Sequence, residues 1–456
     1  MSPSHPPSRA PRPRLRSSFA ARPGRVGTSS VVLVALVFTH WLSAQSDPAS
    51  LLPGFGAANP AYLENHRLTL DLGTVDAASY SSDADLETLL GHFGLARARA
   101  QDRPSQAVGA ARTVLGQQSV QTLQLTYRPG ARLQVRLAHH LRARQYLRYP
   151  AALTTLLAHG TAYGVTEPVA LDPLVDLFAY QDYSLSLAVR AEAKLQLGLR
   201  LHYYTGGAAL FTERHRVAVA PSPDGRYYPV ATDLRVHTSG LGTQPARPRR
   251  TGPARGAANR GIGLDFGAVF TPRPGLTISA SLQGMGHIQW LADARLHRSQ
   301  GRYQVRGVPY HPNGTEPSTK LGDALEQLSK ALEVETEPAP FRTTLPSTAA
   351  LDLHYTPNAR LETAVSLSGV AYRGRFFPRL RTSVGTHFGN GLRAGLFLST
   401  VNFDQLQVGF QGSVRLGVCS IYLAVDHAPA ILRPLRSRAG GGRLGMRFAF
   451  GEVKTD

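Results

Sequence analysis

Apolar and polar residues alternate along most of this chain, and the stretch before its C-terminus shows the pattern most plainly. In residues 442–450, Leu444, Met446, Phe448 and Phe450 share one parity, and Arg443, Gly445, Arg447 and Ala449 share the other. A period of two sends the first set to one face of a β-strand and the second set to the other. Residues 66–72 repeat it, with Leu68, Leu70 and Leu72 against Arg67, Thr69 and Asp71. Residues 132–137 set Leu133, Val135 and Leu137 against Arg132, Gln134 and Arg136. In residues 194–203, Leu195, Leu197, Leu199, Leu201 and Tyr203 oppose Lys194, Gln196, Arg200 and His202. A helical period does not produce five consecutive matches of this kind.

The second half carries the same signal. Ile262, Leu264 and Phe266 precede a Pro-Arg-Pro-Gly turn at 272–275, and Leu276, Ile278, Ala280 and Leu282 follow it. Leu351, Leu353 and Tyr355 oppose Asp352 and His354, while Leu406, Val408 and Phe410 oppose Gln407 and Gln411. Further apolar rows are Leu392 to Leu398 and Ile421 to Val425.

Segments of this kind, each of about ten residues, predict an all-β chain: a transmembrane antiparallel outer-membrane β-barrel of about 14 strands. A soluble β-sandwich also alternates and stands as the competing architecture. Two features favour the barrel. Arg, Lys, Gln and Asp recur in mid-strand, as a wet lumen permits. Aromatic pairs (Tyr203 with Tyr204, Tyr227 with Tyr228, Phe376 with Phe377) fit interfacial girdles near strand ends.

Three stretches break the pattern. Residues 150–159 read as a short helix. In 318–334, Leu321, Leu325, Leu328 and Leu332 form one apolar helical stripe, suited to a plug in the lumen or to a helix on an outer loop. Residues 241–259 are rich in Pro, Gly and Arg and read as a flexible loop.

The N-terminus changes the compartment. Arg9, Arg12, Arg14, Arg16, Arg22 and Arg25 precede an apolar run from Val31 to Leu42, then Ser43, Ala44 and Gln45. A basic region, a short apolar region and a small-residue cleavage point make residues 1–44 a signal peptide. The basic region is long, which points to a true start codon downstream of Met1. No later segment reaches the roughly 20 apolar residues of a spanning helix, so residues 45–456 are expected to form one barrel domain in the cell outer membrane.

Charge and chemistry then narrow the function. The chain has a formal charge of +20, but its lysines are only Lys194, Lys320, Lys330 and Lys454, and its arginines are scattered. Nucleic acid is therefore not an expected partner, whereas an anionic lipopolysaccharide surface is. The single cysteine, Cys419, forms no disulfide framework and reads as one small strand residue. There is no Walker loop, HExxH or paired cysteine motif. His139 and His140 are neighbours in a strand and point to opposite faces. No catalytic residue, metal site or cofactor is expected. The binding candidates are the polar rows facing the lumen: Arg132, Gln134, Arg136, Lys194, Gln196, Arg200, His202, Asp352, His354, Gln407 and Gln411.

The order of segments carries a resemblance. NPAYLENHRLTLDLG (59–73) is followed by YSLSLAVRAEAKLQLGLRLHYYTG (183–206), NRGIGLDFGAVFTPRPGLTISASLQGMGHIQW (259–290) and IYLAVDHAPAIL (421–432). This arrangement resembles an uncharacterised bacterial outer-membrane barrel family, domain of unknown function 5723. It is more distantly similar to FadL-like and PorV/PorP-type barrels. The resemblance implies about fourteen strands and brings no catalytic residues with it.

The leading functional expectation is a monomeric barrel in outer-membrane lipid that binds or passes a small hydrophobic or amphipathic solute. A non-transporting scaffold for subunits of a secretion or motility complex is the alternative, and a soluble secreted β-sandwich binder is a third. Parity also sets an expectation for two neighbours. Leu199→Arg should cost about 2–4 kcal/mol as a lipid-facing position, and Arg200→Leu much less, as a solvated one.

Overall fold

The computed structural model describes residues 58–82, 111–153, 168–220, 227–241, 259–305, 329–389, 391–432 and 437–453. The chain opens with β1 (His66–Ser81), β2 (Ala111–Tyr127), β3 (Leu133–Pro150), β4 (Val169–Ala170), β5 (Leu174–Glu192) and β6 (Leu195–Val219). It continues through β7 (Tyr228–Ser239), β8 (Arg260–Arg273), β9 (Leu276–Trp290), β10 (Arg295–Val305), β11 (Glu335–Pro338) and β12 (Phe341–Thr344). The last group is β13 (Ser347–Tyr355), β14 (Leu361–Tyr372), β15 (Arg375–Phe388), β16 (Leu392–Val401), β17 (Gln405–Leu416), β18 (Cys419–Val425), a short helix α1 (Ala428–Leu432) and β19 (Ala439–Glu452).

Fourteen of these strands form a closed antiparallel wall. Starting at β1 it runs through β2, β3, β5, β6, β8, β9 and β13 to β19, and β19 pairs back with β1 from His66↔Glu452 to Tyr80↔Ala439. Closure removes the two edges a sandwich would leave, so the soluble β-sandwich reading is overturned. The other five strands are short or lie outside the ring. β6 pairs with β8 over Leu195–Thr205 and then with β7 over Ala209–Val219, so its far half rises above the wall. β10 joins β7 there, and β11 joins β10.

The two ends of the wall differ. One end holds both termini of the wall and only tight connections, such as 193–194, 274–275 and 417–418. The other holds the long connections 82–110, 151–173, 220–259 and 291–346. Among the described residues no helix is long and apolar enough to cross a membrane, which says nothing about strands.

Register turns the alternation into a lipid belt. Phe448, Leu70, Leu125, Leu137, Leu185, Leu201 and Leu264 sit side by side on seven successive strands, all facing outward. In β6, Leu199 and Leu201 are 38% and 51% exposed, whereas Arg200 and His202 are 8% and 6% exposed. Apolar side chains exposed in such a band require lipid rather than water around them.

Several expectations need correction. Arg132 and Lys194 are not strand residues; each lies exposed in a tight turn, one position outside the strand where parity applies. In two of the three aromatic pairs only one member is on the outer face, because neighbours in a strand point to opposite faces. Tyr203 and Phe376 are exposed outside, while Tyr204 and Phe377 are buried inside. The helix expected at 318–334 lies mostly outside the described residues; Ser329–Ala331 form a single helical turn. The same holds for 150–159, of which 151–153 are helical, for the loop 241–259 except its two end residues, and for the signal peptide at 1–44.

Candidate functional site

The lumen is filled from the short-turn end by the residues that precede β1. Asn59–Glu64 lie inside the wall, with Asn59, Ala61 and Leu63 buried. Pro60 and the Asn59 side chain keep this segment out of the sheet: Ala61 N donates to Asn59 Oδ1 at 2.9 Å, a local turn that competes with strand pairing. Asn59 Nδ2 donates to the carbonyls of Ala268 (3.3 Å) and Ala280 (3.1 Å) on β8 and β9. On the opposite wall, Gln134 accepts from Glu64 N at 2.7 Å and donates to the Tyr62 carbonyl at 2.9 Å. Gln196 accepts from Leu63 N at 3.3 Å. Arg128 donates to the Glu64 carbonyl from the β2–β3 turn.

Two glycines make room for it. Gly198 and Gly267 are register partners on β6 and β8. A Cβ at Gly198 would overlap the Pro60–Ala61 backbone, and one at Gly267 would overlap the Asn59 amide. The Glu64 carboxylate is held by Arg447 at 2.9 Å, and Arg447 also grips Asp71 in a two-pronged ion pair at 2.6 and 3.0 Å. Arg136 approaches Glu64 at 3.9 Å. Burial, and after it the charge of Glu64, lifts the Tyr62 phenol above its ordinary value. The segment is thus tied to the wall through its own backbone, and it forms a floor across the lumen.

Above the floor lies a charged tier. His202 sits between Asp182 (Nδ1–Oδ1 2.7 Å) and Asp265 (Nε2–Oδ2 2.9 Å), with its ring stacked on Tyr204. Arg142 meets the other Asp182 oxygen at 2.9 Å. Arg200 contacts Asp265 at 3.3 Å, Ser186 Oγ at 2.8 Å and the Ala58 carbonyl at 3.3 Å. Gly284 N donates to Asp265 Oδ1 at 2.6 Å. Charges are matched here group by group, as burial demands.

Toward the long-loop end the lumen opens into a cavity with about 130 Å³ of free volume. One side is aromatic: Tyr146 meets Tyr372 edge-on at 5.3 Å and Phe377 at 6.3 Å, and Phe178 and Tyr180 belong to the same buried cluster. The tight Arg373-Gly374 turn supports that side. Both residues adopt left-handed φ (51° and 71°), as mirror-type hairpin turns require. Arg373 then folds back onto Asp176 with two 2.9 Å contacts, and Tyr372 donates to the same carboxylate at 2.8 Å. The other side carries Arg142, Arg144 and Arg200.

The remaining candidates lie on β13 and β17, and of these Gln407 also lines the cavity. Asp352 accepts from Ser279 (3.0 Å) and Ser366 (2.6 Å). His354 contacts Glu362 at 3.3 Å, and His387 contacts Glu362 from the other side. Gln407 accepts from Ser399 at 3.3 Å, and Gln411 is buried. The structure therefore brings Gln134, Arg136, Gln196 and Arg200 together around the floor, and places His202 in the tier above. Gln407 lines the cavity together with Arg200 and His202, and the charge of Asp352 reaches Tyr62 in the floor. Among the described residues no group of three or more His, Cys, Asp or Glu side chains is arranged to hold a metal.

Sequence reasoning missed the floor, the acids Asp182, Asp265 and Asp176, and the cavity pair Arg144 and Tyr146. One signal was available. In the row Gln196, Gly198, Arg200, His202 the glycine is the one inward position with no side chain, and Gly267 faces it across the register.

Residues 60–426 match the model of a family described as "Family of unknown function (DUF5723)". No curated protein matches the chain. Among solved structures, the chain is similar to the Ralstonia pickettii toluene transporter TbuX at 10% identity, covering 90% of this chain and 97% of that one with a TM-score of 0.42. A Pseudomonas aeruginosa FadL homologue is similar at 13% identity, with 90% and 98% covered and a TM-score of 0.45. The Pseudomonas putida toluene transporter TodX follows at 11% identity, with 90% and 95% covered and a TM-score of 0.38.

Proposed function

The chain belongs to DUF5723, a family of unknown function, and on that footing we propose that it is a solute-binding outer-membrane barrel with a gated lumen. A small amphipathic molecule enters from the long-loop end, rests in the cavity, and passes only when residues 58–64 yield. The observation that carries this reading is the cavity itself: an aromatic and arginine-lined space above a floor made of the chain's own backbone. Short turns face the periplasm and long loops face outward in barrels of this class, which puts the cavity on the outer side. The closed wall leaves no strand edge for a second copy, consistent with a monomer. Exposed arginines of the raised sheet, Arg214, Arg216, Arg298 and Arg302, suit contact with lipopolysaccharide.

Uptake of small radiolabelled amphipathic solutes into vesicles containing the purified protein tests the reading. Saturable uptake above protein-free vesicles is expected. A barrel that neither binds nor passes any such solute would overturn it.

One observation favours the scaffold alternative. β6 runs for 25 residues, well beyond the 9–11 or so that cross a bilayer, and its far half carries β7, β10 and β11 beyond the wall. A raised sheet of this kind offers a surface to secretion or motility subunits. Stoichiometric co-purification from outer membranes, without solute binding, would favour that role.

A further inference from the structure

The inner face of β3 presents a row at period two: His140, Arg142, Arg144, Tyr146 and Arg148. Successive members stand about 6.5–7 Å apart along the strand. The arginines around the cavity are not equivalent. Arg142 is paired with Asp182 at 2.9 Å, Arg200 with Asp265 at 3.3 Å, Arg379 with Asp426 at 3.2 Å, and Arg373 with Asp176 at 2.9 Å. Arg144 lines the same cavity and forms no ion pair with any described carboxylate.

A half-buried guanidinium that faces a cavity without an ion-pair partner is available to an anion. Its planar fork matches a carboxylate through two parallel hydrogen bonds. The next inward residue is Tyr146, which belongs to the aromatic side with Tyr372 and Phe377. Arg148 and Arg375 add positive charge near Tyr146. A cation and a ring-binding surface therefore stand one strand step apart. The free volume of about 130 Å³ is many times the 10–15 Å³ or so that one water needs.

We propose that this cavity is a binding site for a small aryl acid, with the acid group held by Arg144 and the ring set against Tyr146, Tyr372 and Phe377. The inference rests on the solute-binding reading above and narrows it to an anion. Arg144 supplies recognition, and the aromatic side supplies most of the contact area. The matched pairs below, Arg142–Asp182 and Arg200–Asp265, keep the anion from sinking further, because each of those cations is already neutralised.

Calorimetric titration of the full chain in lipid nanodiscs with benzoate, benzyl alcohol and acetate tests the proposal. Benzoate is expected to bind at least about tenfold more tightly than benzyl alcohol, which has the ring but no charge, or acetate, which has the charge but no ring. Arg144→Gln should lower benzoate affinity at least about tenfold and benzyl alcohol affinity less than about threefold. Arg144→Lys, which keeps the charge and loses the fork, should fall between. Phe377→Ala should weaken both aromatic probes. If benzyl alcohol binds as tightly as benzoate, the anion proposal fails and the solute-binding reading survives. If none of the probes binds and vesicle uptake is also absent, both fail. The comparison among probes needs only the unmodified protein, so a variant that does not fold leaves the test intact.

Discussion

At the short-turn end of the lumen, Gln134, Gln196, Arg447 and Asn59 devote their polar groups to fixing residues 59–64 against the wall. Toward the long-loop end, Arg144 and the Tyr146–Tyr372–Phe377 patch face unfilled volume. The strands that build both regions are the same, and their alternation is equally regular. What differs is the occupant. Where the chain itself supplies the partner, inward polar residues act as structural ties. Where it does not, the same kind of residue is left to meet something else. An inward polar side chain in a barrel is thus neither a lumen-solvating group nor a ligand contact by default, and its partners decide which.

Arg200 is the sharpest case. It is enclosed by Asp265, Ser186 and the Ala58 carbonyl, so the expectation that its loss costs little does not hold. Breaking a buried ion pair by removing one partner costs about 3–5 kcal/mol. Arg200→Leu should therefore give the largest effect in folding titrations into lipid vesicles. Leu199→Arg, one residue away and facing lipid, should cost about 2–4 kcal/mol. An Arg200→Leu variant as stable as the parent would mean the charged tier is solvated and the two ends of the lumen alike.

A smaller loss is expected at the floor. Asn59→Ala removes donors to the Ala268 and Ala280 carbonyls and should cost about 1–3 kcal/mol, read by the same titration. At the far end, Thr343→Val removes the acceptor of the Trp290 indole, which donates at 2.9 Å. About 1 kcal/mol is expected there, with Trp290 fluorescence reporting the loosened aromatic cluster. A larger loss at Thr343 than at Asn59 would show that the floor is less firmly built than the aromatic cluster.

The wall was legible in the sequence because period two is a local property. Leu195 to Leu201 and Leu444 to Phe450 announce their outer face without help from neighbours, and the closure of about fourteen such strands follows from their number. The lumen was less legible because its pairings join residues far apart in the chain: Asp71 with Arg447, Asp265 with His202, Asp176 with Arg373. Parity says that Gln196 and Arg200 point inward, but not that residues 58–64 wait there. It also fails where a strand ends, which is why Arg132 and Lys194 lie in turns. Gly198 held the missing clue, since an inward glycine amid long side chains marks a place where backbone comes close.

Gly198→Val tests the central claim most directly, because a side chain there meets the Pro60–Ala61 backbone and leaves the outer face of β6 untouched. The measurement is single-channel conductance in planar bilayers, comparing the parent protein with this variant. A floor built from residues 58–64 predicts a closed or briefly flickering parent and a variant with sustained openings of at least severalfold greater mean conductance. Identical conductance for the two, whether both open or both closed, would contradict it.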